Sequence, residues 1–118
     1  MTLLDDIKAK AEWLYGSRSP RKIIRAVVSD GSFCMFNYRL MSFCSKCRLL
    51  KPIAILLCKV NSVLFSAVIG TNASFGKGFV ILHCVGIVIN TRVTGGENIL
   101  LESGVVIGET KRGCPVLG

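Results

Sequence analysis

The sequence is poor in histidine, acidic side chains and long apolar runs. Its 118 residues include one His and seven Asp or Glu against fifteen Lys or Arg, and the formal net charge is +8. One histidine and one Cys-x-x-Cys pair, Cys44 and Cys47, supply too few ligands for a structural zinc site, so no metal is expected. The most apolar segment, residues 53–70, is interrupted by Lys59 and Asn61. It therefore falls short of the roughly 18 apolar residues that a membrane-spanning helix needs.

The chain also lacks an export signal at its start. The first ten residues, MTLLDDIKAK, hold two acidic side chains and no apolar core segment. A cytoplasmic location is therefore expected, where thiols stay reduced. We expect buried free thiols rather than disulfides at the six cysteines, which are Cys34, Cys44, Cys47, Cys58, Cys84 and Cys114.

The positive charge is concentrated in the first half of the chain. Residues 1–68 hold eleven basic and four acidic side chains, a balance of +7, whereas residues 69–118 hold four and three, a balance of +1. Such a basic region fits an anionic partner, namely a phosphate-bearing cofactor, an acidic glycan or a membrane face. No nucleic-acid motif accompanies it, so a nucleic-acid partner is not expected. Membrane-surface contact is left open but is not expected, and the 51% hydrophobic content favours interfaces between subunits.

Residues 1–68 are predicted to form a helical N-terminal segment. Thr2 with Asp5 three residues later resembles a capping box, and Gly16 ends the apolar pattern that follows. The predicted starts of the later helices are marked by Ser19 before Pro20, by Ser32 and by Pro52.

From residue 69 onward the apolar pattern has a period of six. The residues at this spacing are all apolar: Ile69, Phe75, Ile81, Ile87, Val93, Ile99 and Val105. A hexapeptide period predicts a parallel β-helix, in which three short strands form each coil and one apolar residue per strand fills a narrow axis. Residues 69–118 are therefore predicted to form an incomplete β-helix of a little over two coils. Because the last residues look like the start of another repeat, the chain is predicted to be truncated at its C-terminus.

The motifs of this half resemble those of the hexapeptide-repeat O-acetyltransferases of the serine acetyltransferase type. They are Gly76-Lys77-Gly78, His83, Gly86-Ile87-Val88-Ile89 and Gly104-Val105-Val106-Ile107-Gly108. The compact helical half is similar to the colanic-acid or exopolysaccharide branch of that family. The resemblance implies a trimeric, left-handed parallel β-helix with the active site between subunits, and acetyl-CoA as co-substrate.

The resemblance also implies the roles of single residues. His83 matches the catalytic base, which deprotonates an acceptor hydroxyl of L-serine or of an exopolysaccharide sugar. Cys114 and Arg112 then meet the acceptor, while Gly108 and Lys111 meet acetyl-CoA. Two departures count against serine: Leu82 stands where the serine-specific enzymes have an Asp before the histidine, and Cys114 stands where they have a second His.

Residue pattern alone leaves two interpretations of His83, a buried core histidine or a base on an outer wall. Two places after the inward Ile81, it is expected to point outward. The acidic residues of this half, Glu97, Glu102 and Glu109, are expected to be solvated surface. The alternative function is a non-catalytic or inactive truncated assembly module.

Overall fold

The computed structural model describes residues 2–108 and 116–117, in which four helices precede a parallel β-helix. The helices are α1 (Leu3–Tyr15), α2 (Pro20–Val27), α3 (Ser32–Ser45) and α4 (Lys51–Phe65), with one 3-10 turn at Arg48–Leu50. The strands are β1 (Val68–Ile69), β2 (Ser74–Phe75), β3 (Val80–Ile81), β4 (Val88–Ile89), β5 (Thr94–Gly95), β6 (Leu100–Leu101), β7 (Val106–Ile107) and β8 (Val116–Leu117). Within the described residues, no helix is long and apolar enough to cross a membrane.

The helix boundaries follow the sequence signals, but the predicted caps differ in detail. Gly16 ends α1 in the left-handed conformation with φ 69°, and Pro20 occupies the first turn of α2. Neither Thr2 nor Ser19 makes a side-chain cap hydrogen bond, so the predicted capping box is not formed. Ser32 is the first residue of α3 rather than its cap, because its hydroxyl donates to the Ala26 carbonyl of α2 instead.

The strands form three parallel sheets, as the hexapeptide period predicts. Their orders are β1-β4-β7, β2-β5-β8 and β3-β6. Val68 pairs with Val88 and Val88 with Val106, so the first coil spans 20 residues and the next spans 18. The two additional residues lie in the corner between β3 and β4, where they interrupt the regular repeat.

This insertion corrects the predicted row of axial residues. Ile69, Phe75 and Ile81 each end a strand, whereas Ile87 and Val93 lie two positions before the end of the next strands. All five are buried because both positions face the interior of the coil. The residues of the predicted series therefore all point inward, but they occupy two different positions relative to the strands. The position changes at the corner after β3.

A buried ion pair joins the helices to the β-helix. Arg39 of α3 donates from Nε to Asp6 Oδ2 of α1 over 2.6 Å and from Nη1 to the Phe75 carbonyl over 2.9 Å. The Phe79 backbone N–H donates to Asp6 Oδ1 over 2.9 Å. Because these bonds connect α1, α3 and the β2–β3 corner, they fix the orientation of the helical segment on the first coil.

The cysteines that the structure describes all have free thiols, as predicted. Cys34 and Cys44 are buried, but burial was wrongly predicted for Cys47, which is exposed just after the end of α3. Cys58 and Cys84 are half-buried. The predicted thiol at Cys114 lies outside the described residues.

Candidate active site

His83 lies in the enlarged corner between β3 and β4. The left-handed Gly86, with φ 79°, helps close this corner, and its N–H donates to the Ser66 carbonyl over 2.9 Å. The His83 side chain is 58% exposed, which confirms the outward position predicted for it. The core interpretation of this histidine is therefore wrong.

The turn between α2 and α3 presses against this corner. Gly31 has φ +82°, and a Cβ atom at this position would lie 2.5 Å from the Ile81 carbonyl oxygen. Only glycine fits such an approach without strain. The contact brings Asp30 to His83, whose Nδ1 lies 3.3 Å from Asp30 Oδ2.

A second carboxylate lies near the other ring nitrogen. Glu102, just after β6, places Oε1 4.0 Å from His83 Nε2. Glu102 is 52% exposed, so the predicted solvation is correct, but the structure adds that it flanks the histidine. Since a carboxylate only accepts, the Nδ1–H tautomer suits Asp30 at 3.3 Å, and Nε2, too far from Glu102 for a hydrogen bond, is left as the acceptor nitrogen.

Asp30 is the site residue that the sequence interpretation missed. It belongs to none of the motifs found in the sequence, and it lies 53 positions before His83. It supplies a carboxylate to the imidazole in a chain whose residue before the histidine is Leu82. Within the single sequence, no periodicity connects the α2–α3 turn to a β-helix corner.

Lys10 of α1 is hydrogen-bonded to the turn that carries Asp30. Its side chain is fully buried, and Nζ donates to the Asp30 carbonyl and, over 2.9 Å, to Ser32 Oγ. Burial lowers the pKa of Lys10 to about 8, although the negative charge of Asp30 acts in the opposite direction. A buried cationic donor thus holds the backbone that carries the histidine's partner.

His83 opens onto a cleft of about 260 Å³, which suits a small acceptor group rather than a whole coenzyme. The cleft is lined by residues that include Ser29, Asp30, Phe33, Cys34, Phe65, His83, Cys84 and Val85. Burial raises the pKa of Cys34 to about 12 and also raises that of Cys84, its hydrogen-bonding neighbour. Both are therefore neutral thiols near pH 7, so neither supplies a thiolate nucleophile.

The remaining predicted site residues are described only in part. Gly108 is exposed just after β7, and no described heavy atom lies within 4 Å of where its Cβ would be. Glu97 is exposed, as predicted. The predicted contacts of Lys111, Arg112 and Cys114, and the predicted surface position of Glu109, lie outside the described residues. The described part of the chain contains no group of three or more His, Cys, Asp or Glu arranged to hold a metal ion.

No protein-family model and no curated protein matches this sequence. Several solved structures match the whole described fold. The serine O-acetyltransferase of Brucella melitensis has a TM-score of 0.77 and 21% identity, over 96% of this chain and 47% of that one. The Neisseria gonorrhoeae enzyme has a TM-score of 0.79 and 22% identity, over 94% and 42%. Soybean serine acetyltransferase complexed with serine has a TM-score of 0.77 and 19% identity, over 99% and 50%.

The similarity covers the helices and the coils together, whereas the chain spans half or less of the length of these neighbours. At this identity it is a likeness of fold. The predicted architecture is confirmed, including the left-handed coil that the resemblance implied. The chain has the hexapeptide-repeat fold of the serine acetyltransferases, with a helical segment leading into a left-handed parallel β-helix.

Proposed function

We propose that this chain forms the acyl-transfer core of an acetyl-CoA-dependent O-acetyltransferase, with His83 as the general base. The observation that carries the proposal is the exposed imidazole, whose Nδ1 lies 3.3 Å from Asp30 Oδ2 while Nε2 lies 4.0 Å from Glu102 Oε1, beyond hydrogen-bond distance. The serine acetyltransferase fold supports the same chemistry. The two cleft cysteines, as neutral thiols, offer no competing nucleophile.

In this mechanism the acceptor hydroxyl gives its proton to His83 Nε2 while its oxygen attacks the thioester carbonyl of acetyl-CoA. Asp30, as a positioning residue, holds Nδ1–H and favours the positive charge that forms on the ring. The carbon–sulfur bond then breaks, and the proton passes from His83 to the departing CoA sulfur. The acetyl group ends on the acceptor oxygen, and CoA leaves as a thiol.

The charges around the cleft favour a neutral sugar hydroxyl over L-serine as the acceptor. Asp30 and Glu102 both lie at the imidazole, and none of the described residues that line the cleft is Lys or Arg. Among the described lining residues, a serine carboxylate would therefore meet negative charge and no cation, whereas sugar hydroxyls donate well to carboxylates. We accordingly propose an exopolysaccharide sugar as acceptor, with Cys114 and Arg112 as its further contacts.

Two further parts of the proposal concern acetyl-CoA and the assembly. No described heavy atom lies within 4 Å of where a Cβ of Gly108 would be, which suits the close approach of a long substrate, and we assign Gly108 and Lys111 to acetyl-CoA. Three outward valines in one sheet, Val68, Val88 and Val106, are 42%, 40% and 67% exposed. This apolar column supports a homotrimer in which subunits pack through the β-helix.

The deciding experiment measures thiol release from acetyl-CoA with L-serine and with a panel of sugars. His83→Ala should lower acceptor-dependent release by roughly a hundred- to ten-thousandfold, because a positioned base contributes about that much. The exposed side chain predicts unchanged circular dichroism, and Lys77→Ala, at another exposed corner, is the matched control. Full activity in the histidine variant would refute the proposed base.

The alternative function is a non-catalytic hexapeptide-repeat assembly module, which the exposed valine column of Val68, Val88 and Val106 would also suit. In that case the folded chain releases no thiol with any acceptor. The same assay therefore separates the two functions.

A further inference from the structure

Helix α4 exposes most of its surface, and that surface is apolar. Ala54 and Asn61 are buried and mark its inner face against α3 and β1. Its exposed apolar residues, with their exposed fractions, are Ile53 at 45%, Ile55 at 56%, Leu56 at 63%, Val63 at 78% and Leu64 at 70%. A helix that is apolar on nearly all sides normally has a second partner.

Basic side chains accompany this apolar surface. Those exposed on α4 and in the segment before it are Lys46, Arg48, Lys51 and Lys59, and Leu49 between them is 88% exposed. No Asp or Glu occurs in the sequence between Asp30 and Glu97, although the same stretch holds seven Lys or Arg residues. We call the exposed residues of 46–64 the basic apolar face.

The charge pattern distinguishes between two possible occupants of this face. If a second copy of the chain covered it by self-pairing, lysines would lie near lysines without a carboxylate within the face to balance them. An anionic bilayer instead supplies phosphate groups for the lysines and an acyl region for the leucines and valines. We propose that the basic apolar face docks the protein on an anionic lipid membrane surface.

The dimensions of α4 suit a helix that lies in the plane of the interface. Its 15 residues extend over roughly 22 Å, so it rests on a bilayer rather than spanning it. Lys59 lies among the exposed apolar residues, and its four-carbon stem lets the ammonium group reach the headgroups while neighbouring side chains insert. This contact does not depend on His83 or on the proposed acetyl transfer.

Sedimentation with lipid vesicles tests the proposal directly. The whole chain should bind vesicles of phosphatidylcholine with 30% phosphatidylglycerol and should bind pure phosphatidylcholine far more weakly. Lys51→Gln with Lys59→Gln should reduce the partition coefficient roughly 30-fold, and 1 M salt should weaken binding similarly. Leu56→Gln with Leu64→Gln should reduce it at least about tenfold, because both side chains insert.

The positions of the matched double variants lie outside the basic apolar face. Trp13→Gln with Ile24→Gln removes side chains that are 63% and 66% exposed, and Lys22→Gln with Lys77→Gln removes two charges away from α4. Both should bind vesicles like the wild type. If the wild type does not bind, or if the α4 variants bind equally well, the proposal is wrong. If the α4 variants change only the oligomer mass in sedimentation equilibrium, a second copy covers the face and the proposal is equally overturned.

Discussion

The two halves of this molecule are stabilised by different kinds of interior. The buried polar or charged side chains of the described residues all lie in the helical half: Asp6, Lys10, Ser32, Arg39 and Asn61. The described coils bury Ile, Val, Leu and Phe side chains around their axis. Apolar side chains repeated at a fixed period therefore determine the coil. Directional polar contacts instead determine how the helices are oriented on the coil.

The candidate site lies where these two kinds of structure meet. The coil supplies His83 from an enlarged corner and Glu102 from the neighbouring coil. The helices supply Asp30, held by Lys10 and by the close approach at Gly31. The repeating coil thus supplies the histidine, and the helical segment, which has no repeat, supplies the carboxylate that faces it.

The largest expected effect comes from breaking the buried ion pair between the halves. Asp6→Ala leaves Arg39 buried without a carboxylate and the Phe79 N–H without its acceptor, so we expect a loss of about 3–5 kcal/mol in the free energy of unfolding. Urea denaturation measures it, and Asp5→Ala, at the exposed neighbour on α1, should change little. Equal losses in the two variants would show that the pair contributes no special stability.

Truncation inside the coil should have the next largest effect. Leu101→Ala removes a side chain that is 6% exposed, and we expect a loss of about 2–5 kcal/mol from lost burial and the cavity that remains. Leu100→Ala, next to it but 37% exposed, should lose less than half as much. Thermal and urea unfolding measure both, and similar losses would contradict the inward and outward assignment of β6.

The same difference explains how far sequence reasoning reached. The period of six predicted three parallel sheets and an outward His83, because every coil repeats one apolar requirement. The period did not reveal that two residues are inserted after β3. The reason is that Ile87 is apolar and suits an inward position whether or not the insertion is present. The pairing of Asp30 with His83 depends on a polar contact between distant segments, for which a single sequence offers no periodic signal.

Removing the partner of the histidine should have a smaller effect than removing the histidine. The Asp30 and His83 side chains are 82% and 58% exposed, and exposed pairs contribute only about 1 kcal/mol or less. Asp30→Asn should therefore lower kcat about fivefold and leave the KM for acetyl-CoA unchanged. Asp30→Glu should recover part of the loss, and a variant as active as the wild type would exclude a positioning role.

The smallest effect is a pH dependence that arises from Lys10. Its pKa is about 8 in the folded chain and 10.5 in the unfolded chain, so the unfolded state binds more protons between these values and stability should rise with pH. Above pH 9 the raised pKa of Cys34 opposes this trend, because the folded state then retains a proton that the unfolded state loses. The rise should therefore appear between pH 8 and 9, with a slope below about 1.4 kcal/mol per pH unit, the limit for one proton.

Lys10→Met should abolish that rise, whereas Lys8→Met on the same helix should retain it. A slope that persists without Lys10 would assign it to another group. If acetyl transfer is also measured, Lys10→Met should lower kcat by a factor no larger than Asp30→Asn does, because Lys10 acts only through the Asp30 backbone. A variant that loses the pH slope and part of its activity together would show that the buried Lys10 serves both the stability of the folded chain and the position of Asp30.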